Sequence, residues 1–137
     1  GDMLVMKEAW RTLKPGGRLV ITVPCAKAHF EEYRETDFYG LDDPRAVVGG
    51  KIFFQRFYDE KSIEQRLCVP IDAKPNSLAI FGENTEGHFF DYEKRWMQFG
   101  LQETIKDPYY VSHDYQHYQS ISQLPGIGVC GMVFMKE

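Results

Sequence analysis

Apolar residues open the chain at Leu4, Val5, Met6, Ala9, Trp10 and Leu13. They recur at three- and four-residue spacing, which predicts an apolar stripe on a helix starting at Asp2. Asp2 is placed to cap that helix, whose first amides have no partner within it. Pro15, Gly16 and Gly17 end it, because proline breaks the hydrogen-bond ladder and glycine accepts the positive φ of a tight reversal. Leu19, Val20, Ile21, Thr22 and Val23 follow, aliphatic or β-branched throughout, which predicts a short strand buried on both faces.

After Pro24 the pattern weakens. Ala26 to Arg34 fits a short helix, and Gly40, Asp42, Asp43, Pro44, Gly49 and Gly50 mark turns. This long connection leaves the carboxyl end of the first strand, where ligands sit in open α/β sheets, so it reads as a substrate-facing loop or a lid over the core. Lys51 to Tyr58 is a short aromatic segment. Asp59 caps a helix over EKSIEQRLCV, with Ile63 and Leu67 on one face and Pro70 at its end. Leu78 to Gly82 reads as a second strand, and a turn follows over Glu83 to Gly87. Asp91 to Phe99 fits a third helix with Tyr92, Trp96 and Phe99 on its apolar face and Gly100 past its end. Residues 101–126 stay ambiguous, apart from a turn at Leu124, Pro125 and Gly126. Ile127 to Met135, IGVCGMVFM, carries apolar residues or glycine on both alternating faces, as a central strand does, and Gly128 and Gly131 permit close backbone approach.

The 137 residues suffice for a single domain, 1–137, with its own core. A net charge of -4 and a pI near 5.6 do not draw the molecule to nucleic acid or to an anionic membrane. Glu31, Glu32, Glu35, Asp37, Asp42 and Asp43 make the irregular connection acidic, which further opposes phosphate-backbone binding. No apolar run is long enough to span a bilayer and no signal-peptide pattern opens the chain, so the expected location is cytoplasmic. Cys25, Cys68 and Cys130 are odd in number and far apart, which favours free, buried thiols. No strand precedes the first helix, yet a parallel sheet needs one beside Leu19 to Val23. The expectation is a fragment lacking a first half, or a product that completes its sheet with another copy.

The stretch MKEAWRTLKPGGRLVITVP resembles the helix and fifth strand of class I S-adenosylmethionine-dependent methyltransferases, the small-molecule methylases in particular. Glu8, Arg11, Leu13, Lys14, Pro15, Gly16 and Gly17 carry the likeness. QRFYDEKSIEQRL is similar, more weakly, to the family's approach to the sixth strand through Arg56, Tyr58 and Asp59. The resemblance implies an α/β fold that is the C-terminal half of a Rossmann-like methyltransferase domain. Leu78 to Gly82 is then strand six, and Ile127 to Met135 is strand seven, antiparallel and central between five and six. It implies S-adenosylmethionine as the cofactor of the full-length fold. The glycine-rich turn and ribose-holding acid of the missing half are absent, so none is expected on this chain alone and its cofactor-binding residues are unknown. The partners implied are a small-molecule substrate and either the missing N-terminal half or further copies in a homo-oligomer.

Methyl transfer from an activated sulfonium asks the protein to position a nucleophile and, where needed, to remove a proton. His29, just past the fifth strand, is the candidate general base. Tyr33, Tyr39, Arg56, Tyr58 and His113 are candidate substrate-binding groups. Arg34 and Arg56 can each hold a carboxylate or phosphate, and each serves at least as readily as a surface residue or a structural ion-pair partner. No metal is expected, because His113 and His117 lack the glutamate of a zincin and a third ligand at usual spacing. Cys25 lacks the elbow of a strand-end nucleophile. The alternative function is a non-catalytic remnant or oligomerisation domain that keeps the second half of the fold.

Overall fold

A computed structural model describes residues 1–35, 47–83 and 115–137. The fold is mixed α/β with antiparallel pairing in both sheets. Helix α1 (Asp2–Thr12) is followed by strand β1 (Arg18–Ala26), β2 (Phe30–Glu35), β3 (Val47–Val48) and β4 (Lys51–Phe57). Helix α2 (Glu60–Ile63) runs on through a π-helical turn over Glu64–Cys68 and a 3-10 turn over Val69–Ile71. Strands β5 (Ser77–Glu83), β6 (Tyr115–Tyr118) and β7 (Ile127–Met135) complete it. The helix expected over Asp91 to Phe99 lies outside the described residues.

The four-stranded sheet has the order β1-β7-β5-β6, and the smaller one β2-β4-β3. The last strand in sequence is therefore interior, as expected from its two apolar faces. It pairs antiparallel with β1, Val20 against Val133, and with β5, Ile80 against Cys130. Since both neighbours oppose β7, β1 and β5 run parallel to each other. Gly82 and Gly128 stand opposite each other, with Leu124 closing over the pair; a Cβ on Gly128 would lie 2.5 Å from the Phe81 carbonyl oxygen. That close approach is what the glycine permits.

The core lies on one face of this sheet. Cys130, Met132 and Phe134 of β7 point into it with Ile80, and Met6, Ile63, Leu67 and Ile71 cover them from the helices. Ile63 and Leu67 are buried together, as their spacing requires, and Asp59 caps α2 reciprocally with Ser62: its carboxylate accepts from the Ser62 amide at 2.7 Å, and the Ser62 hydroxyl accepts from the Asp59 amide at 2.9 Å. The three cysteines are buried free thiols. Burial pushes Cys25 up to about 12 and Cys130 up to about 11, so neither is poised as a nucleophile.

Four expectations need correction. β1 is not buried on both faces: Leu19, Ile21 and Val23 face the core while Val20 is 67% exposed. The α1 stripe is narrower than its spacing suggests, because Leu4 and Val5 are exposed and only Met6 is buried, with Trp10 packed partly against the core. Asp2 does not take the cap position of α1: it is the first helical residue, and beside the Met3 amide its carboxylate turns to groups outside the helix. Residues of the expected Ala26–Arg34 helix instead form the end of β1 and most of β2. There Phe30 stacks on Phe57 of β4 at 4.4 Å and the buried Glu32 accepts from Gln55 at 3.0 Å. Pairing across 20-odd residues outweighs the local helical preference of AHFEEYR.

The glycine turn after α1 behaves as read. Gly16 takes a φ of 76°, and its amide donates to the Lys136 carbonyl at 2.7 Å. Lys136 returns its side chain to the helix: Nζ donates to the carbonyls of Trp10 at 2.6 Å and Leu13 at 2.8 Å, which have no partner in the helix.

Candidate functional site

The carboxyl end of β1 is where the two sheets meet. β1 ends beside Tyr58, whose amide donates to the Pro24 carbonyl and whose carbonyl accepts from Ala26, both at 3.0 Å. This two-bond bridge carries the small sheet and sets Tyr58 just past β4, two residues after Arg56 and on the same face of the chain.

Four of the six sequence-predicted residues come together here. The His29 ring meets Tyr58 edge-on at 6.3 Å. Tyr33 donates its hydroxyl to Glu31 at 2.8 Å and meets Phe53 edge-on at 5.8 Å. Arg56 donates to Glu31 through Nε at 3.0 Å and to Asp2 through Nη1 at 2.7 Å, while its guanidinium lies over the rings of Phe53 and Tyr58. Tyr39 and His113 lie outside the described residues. Arg34 lies in β2. His117, its neighbour Phe81 and strand β6 belong to the far side of the large sheet.

The centre of the cluster is Asp2, whose place at the start of the chain's first apolar stripe reads as that of a helix cap. Its Oδ2 accepts from Arg56, from the Tyr58 hydroxyl at 2.7 Å and from Arg66 Nε at 2.8 Å; its Oδ1 accepts from Arg66 Nη2 at 2.9 Å and from the Met3 amide at 3.0 Å. Arg66 thus grips both oxygens in a fork. Sequence gave no cue to this pairing, since the partners are more than fifty positions apart. Burial acts to raise the Asp2 pKa, but the bonds from Arg66, Tyr58 and Met3 and the charge of Arg56 outweigh it and hold the carboxyl well below its usual 3.8. Burial, then the bond to Asp2, raises Tyr58. The bond from Arg56, then that from Tyr33, lowers Glu31.

A pH dependence follows from Asp2. Its folded pKa lies below the unfolded one, so its stabilisation is complete above the unfolded value and is lost as pH falls through and below 4. Urea midpoints measured from pH 6 down to about 2.5 are expected to fall more steeply in the wild type than in Asp2→Asn, with the gap between them closing in acid. Parallel curves for the two proteins would refute this role for the carboxylate.

Among the described residues no three His, Cys, Asp or Glu side chains are grouped so as to hold a metal, and no helix is long and apolar enough to cross a membrane. No protein-family model, curated protein or solved structure matches the chain.

Proposed function

We propose that the chain is the C-terminal half of a class I S-adenosylmethionine-dependent methyltransferase fold acting on a small molecule, and that it contributes the substrate wall. The observation that carries this reading is the terminal strand β7, inserted antiparallel between β1 and β5, which run parallel to each other. The LKPGG turn that leads into β1 supports it. The antiparallel partner β6 on the outer side of β5 is an addition to that plan.

The described residues do not fit the cofactor. Their positive-φ glycines are Gly16, in a helix-to-strand turn, and Gly49 and Gly50, between β3 and β4. None opens a helix after a strand, the context that presents amides to a bound nucleotide-like group. The cofactor site is accordingly assigned to polypeptide beside β1. What this chain supplies is a polar, aromatic cluster at the carboxyl end of β1. His29 stands there as proton acceptor against Tyr58, with Tyr33 and Arg56 to orient the substrate.

A second reading, an oligomerisation domain without catalysis, is favoured by the outer edge of β1. Pro24 and Ala26 turn their carbonyl and amide to Tyr58, away from β7. By the two-residue alternation of the ladder, Arg18, Val20 and Thr22 turn theirs the same way, and no described strand pairs with them.

One comparison separates the two. Calorimetry with S-adenosylmethionine is expected to show saturable binding, in the micromolar range, for the product of the full reading frame and none for the 137-residue chain. A full-length product that binds no cofactor and sediments as a dimer would replace the first reading by the second. Micromolar binding by the 137-residue chain alone would overturn the assignment of the cofactor site.

A further inference from the structure

We infer that Arg56, Arg66 and Tyr58 form a receiving site for the carboxylate of a small ligand, and that Asp2 fills this site in cis. The inference adds a ligand class and needs no methyl transfer to be true.

The donors belong to the body of the fold and not to the helix that fills them. Arg56 sits at the end of β4 and Tyr58 is fixed by its two backbone bonds to β1. Arg66 sits in the π-helical turn after α2, between the buried Ile63 and Leu67. Arg56 has a second anchor in Glu31 and lies over Phe53 and Tyr58, so its guanidinium keeps its place when Asp2 leaves. Four N–H and O–H groups then converge on one point, two of them as the parallel fork of Arg66 that matches a planar carboxylate. With Asp2 in place two carboxylates balance two guanidiniums. Without it the site holds one unbalanced positive charge.

Asp2, by contrast, is held by little else. Its other bond is the one Oδ1 accepts from the Met3 amide, within its own turn. The rest of that first turn is Met3, Leu4 and Val5, all exposed, and the first buried residue is Met6. A turn whose other side chains are exposed opens at small cost. Displacing Asp2 therefore costs the opening of that turn and its bond from Met3, beyond the bonds that the incoming carboxylate restores. The site is reachable as well, since the Asp2 and Arg56 side chains are each 16% exposed and that of Arg66 is 33% exposed. A ligand gripped here has the His29 ring on the neighbouring side of Tyr58.

The test removes the internal occupant and offers an external one. In Asp2→Ala, sodium acetate is expected to raise the melting temperature saturably, with a Kd on the order of millimolar, while sodium chloride at equal ionic strength does not. The Nε–H resonances of Arg56 and Arg66 are expected to shift along the same titration. Arg66→Gln added to Asp2→Ala is expected to weaken acetate about tenfold or more, because the fork is gone. Should Asp2→Ala fail to fold, Asp2→Asn keeps the shape of the side chain and removes its charge, and the same titration applies. Absence of any saturable acetate effect in whichever variant folds would overturn the inference. Inorganic phosphate that binds more tightly than acetate would overturn the carboxylate assignment in favour of a tetrahedral oxyanion. Neither result depends on S-adenosylmethionine, so the clamp and the methyltransferase reading can fail separately.

Discussion

Phe134→Ala is expected to cost about 3–5 kcal/mol, the usual loss when a buried phenylalanine is cut back to alanine. Phe134 is fully buried in the central strand, one of the largest side chains in the core. A domain of this size commonly has about 5–15 kcal/mol in all, so one substitution removes a large part of its stability. The next residue makes the control. Met135 lies on the opposite face and is 43% exposed, so Met135→Ala is expected to change stability by about 0.5 kcal/mol or less. Urea unfolding of the two variants reads the difference directly. Equal losses would mean that β7 does not present its even-numbered residues to the core.

Gly128→Ala is expected to cost about 3 kcal/mol, the upper end of what overpacking does. The added Cβ would meet the Phe81 carbonyl oxygen at 2.5 Å and both Leu124 methyls at 3.0–3.1 Å. The first is backbone in a paired strand and the second belongs to a side chain with no exposed surface, so neither yields without opening the β5–β7 pair. Gly131, three positions on in the same strand, offers the contrast: a Cβ there meets nothing closer than 3.8 Å. Gly131→Ala is expected to be neutral or slightly stabilising, because alanine has less chain entropy to lose. Similar losses at both glycines would show that the cost does not come from the close approach at Gly128.

The parts of the fold legible in the sequence are those set by neighbours along the chain. The capping pair Asp59 and Ser62, the Gly16 turn and the Ile63–Leu67 face each depend on residues within four positions. β7 was legible for another reason. A strand apolar on both faces has to lie inside a sheet, and it does. What local pattern could not disclose is pairing at a distance. Phe30 to Glu35 carries good helix formers, yet it becomes a strand because β4 supplies its partners. Asp2 looks like a cap from its position, yet two arginines and a tyrosine beyond residue 55 draw its carboxylate away. The same distance effect explains the site. His29, Tyr33, Arg56 and Tyr58 could be named singly, while Asp2, Glu31 and Arg66, which bind them into one network, have no local signature.

Helix α1 is moored at its two ends more than along its side. Asp2 ties the first turn to β4 and to the π-helical turn after α2, and Lys136 ties the last turn to the end of β7. Both ties are ionic or charge-assisted, and between them a single residue is fully seated. Such a helix is held by charges largely sheltered from solvent, so dissolved electrolyte weakens its moorings less than it would weaken ties on the open surface.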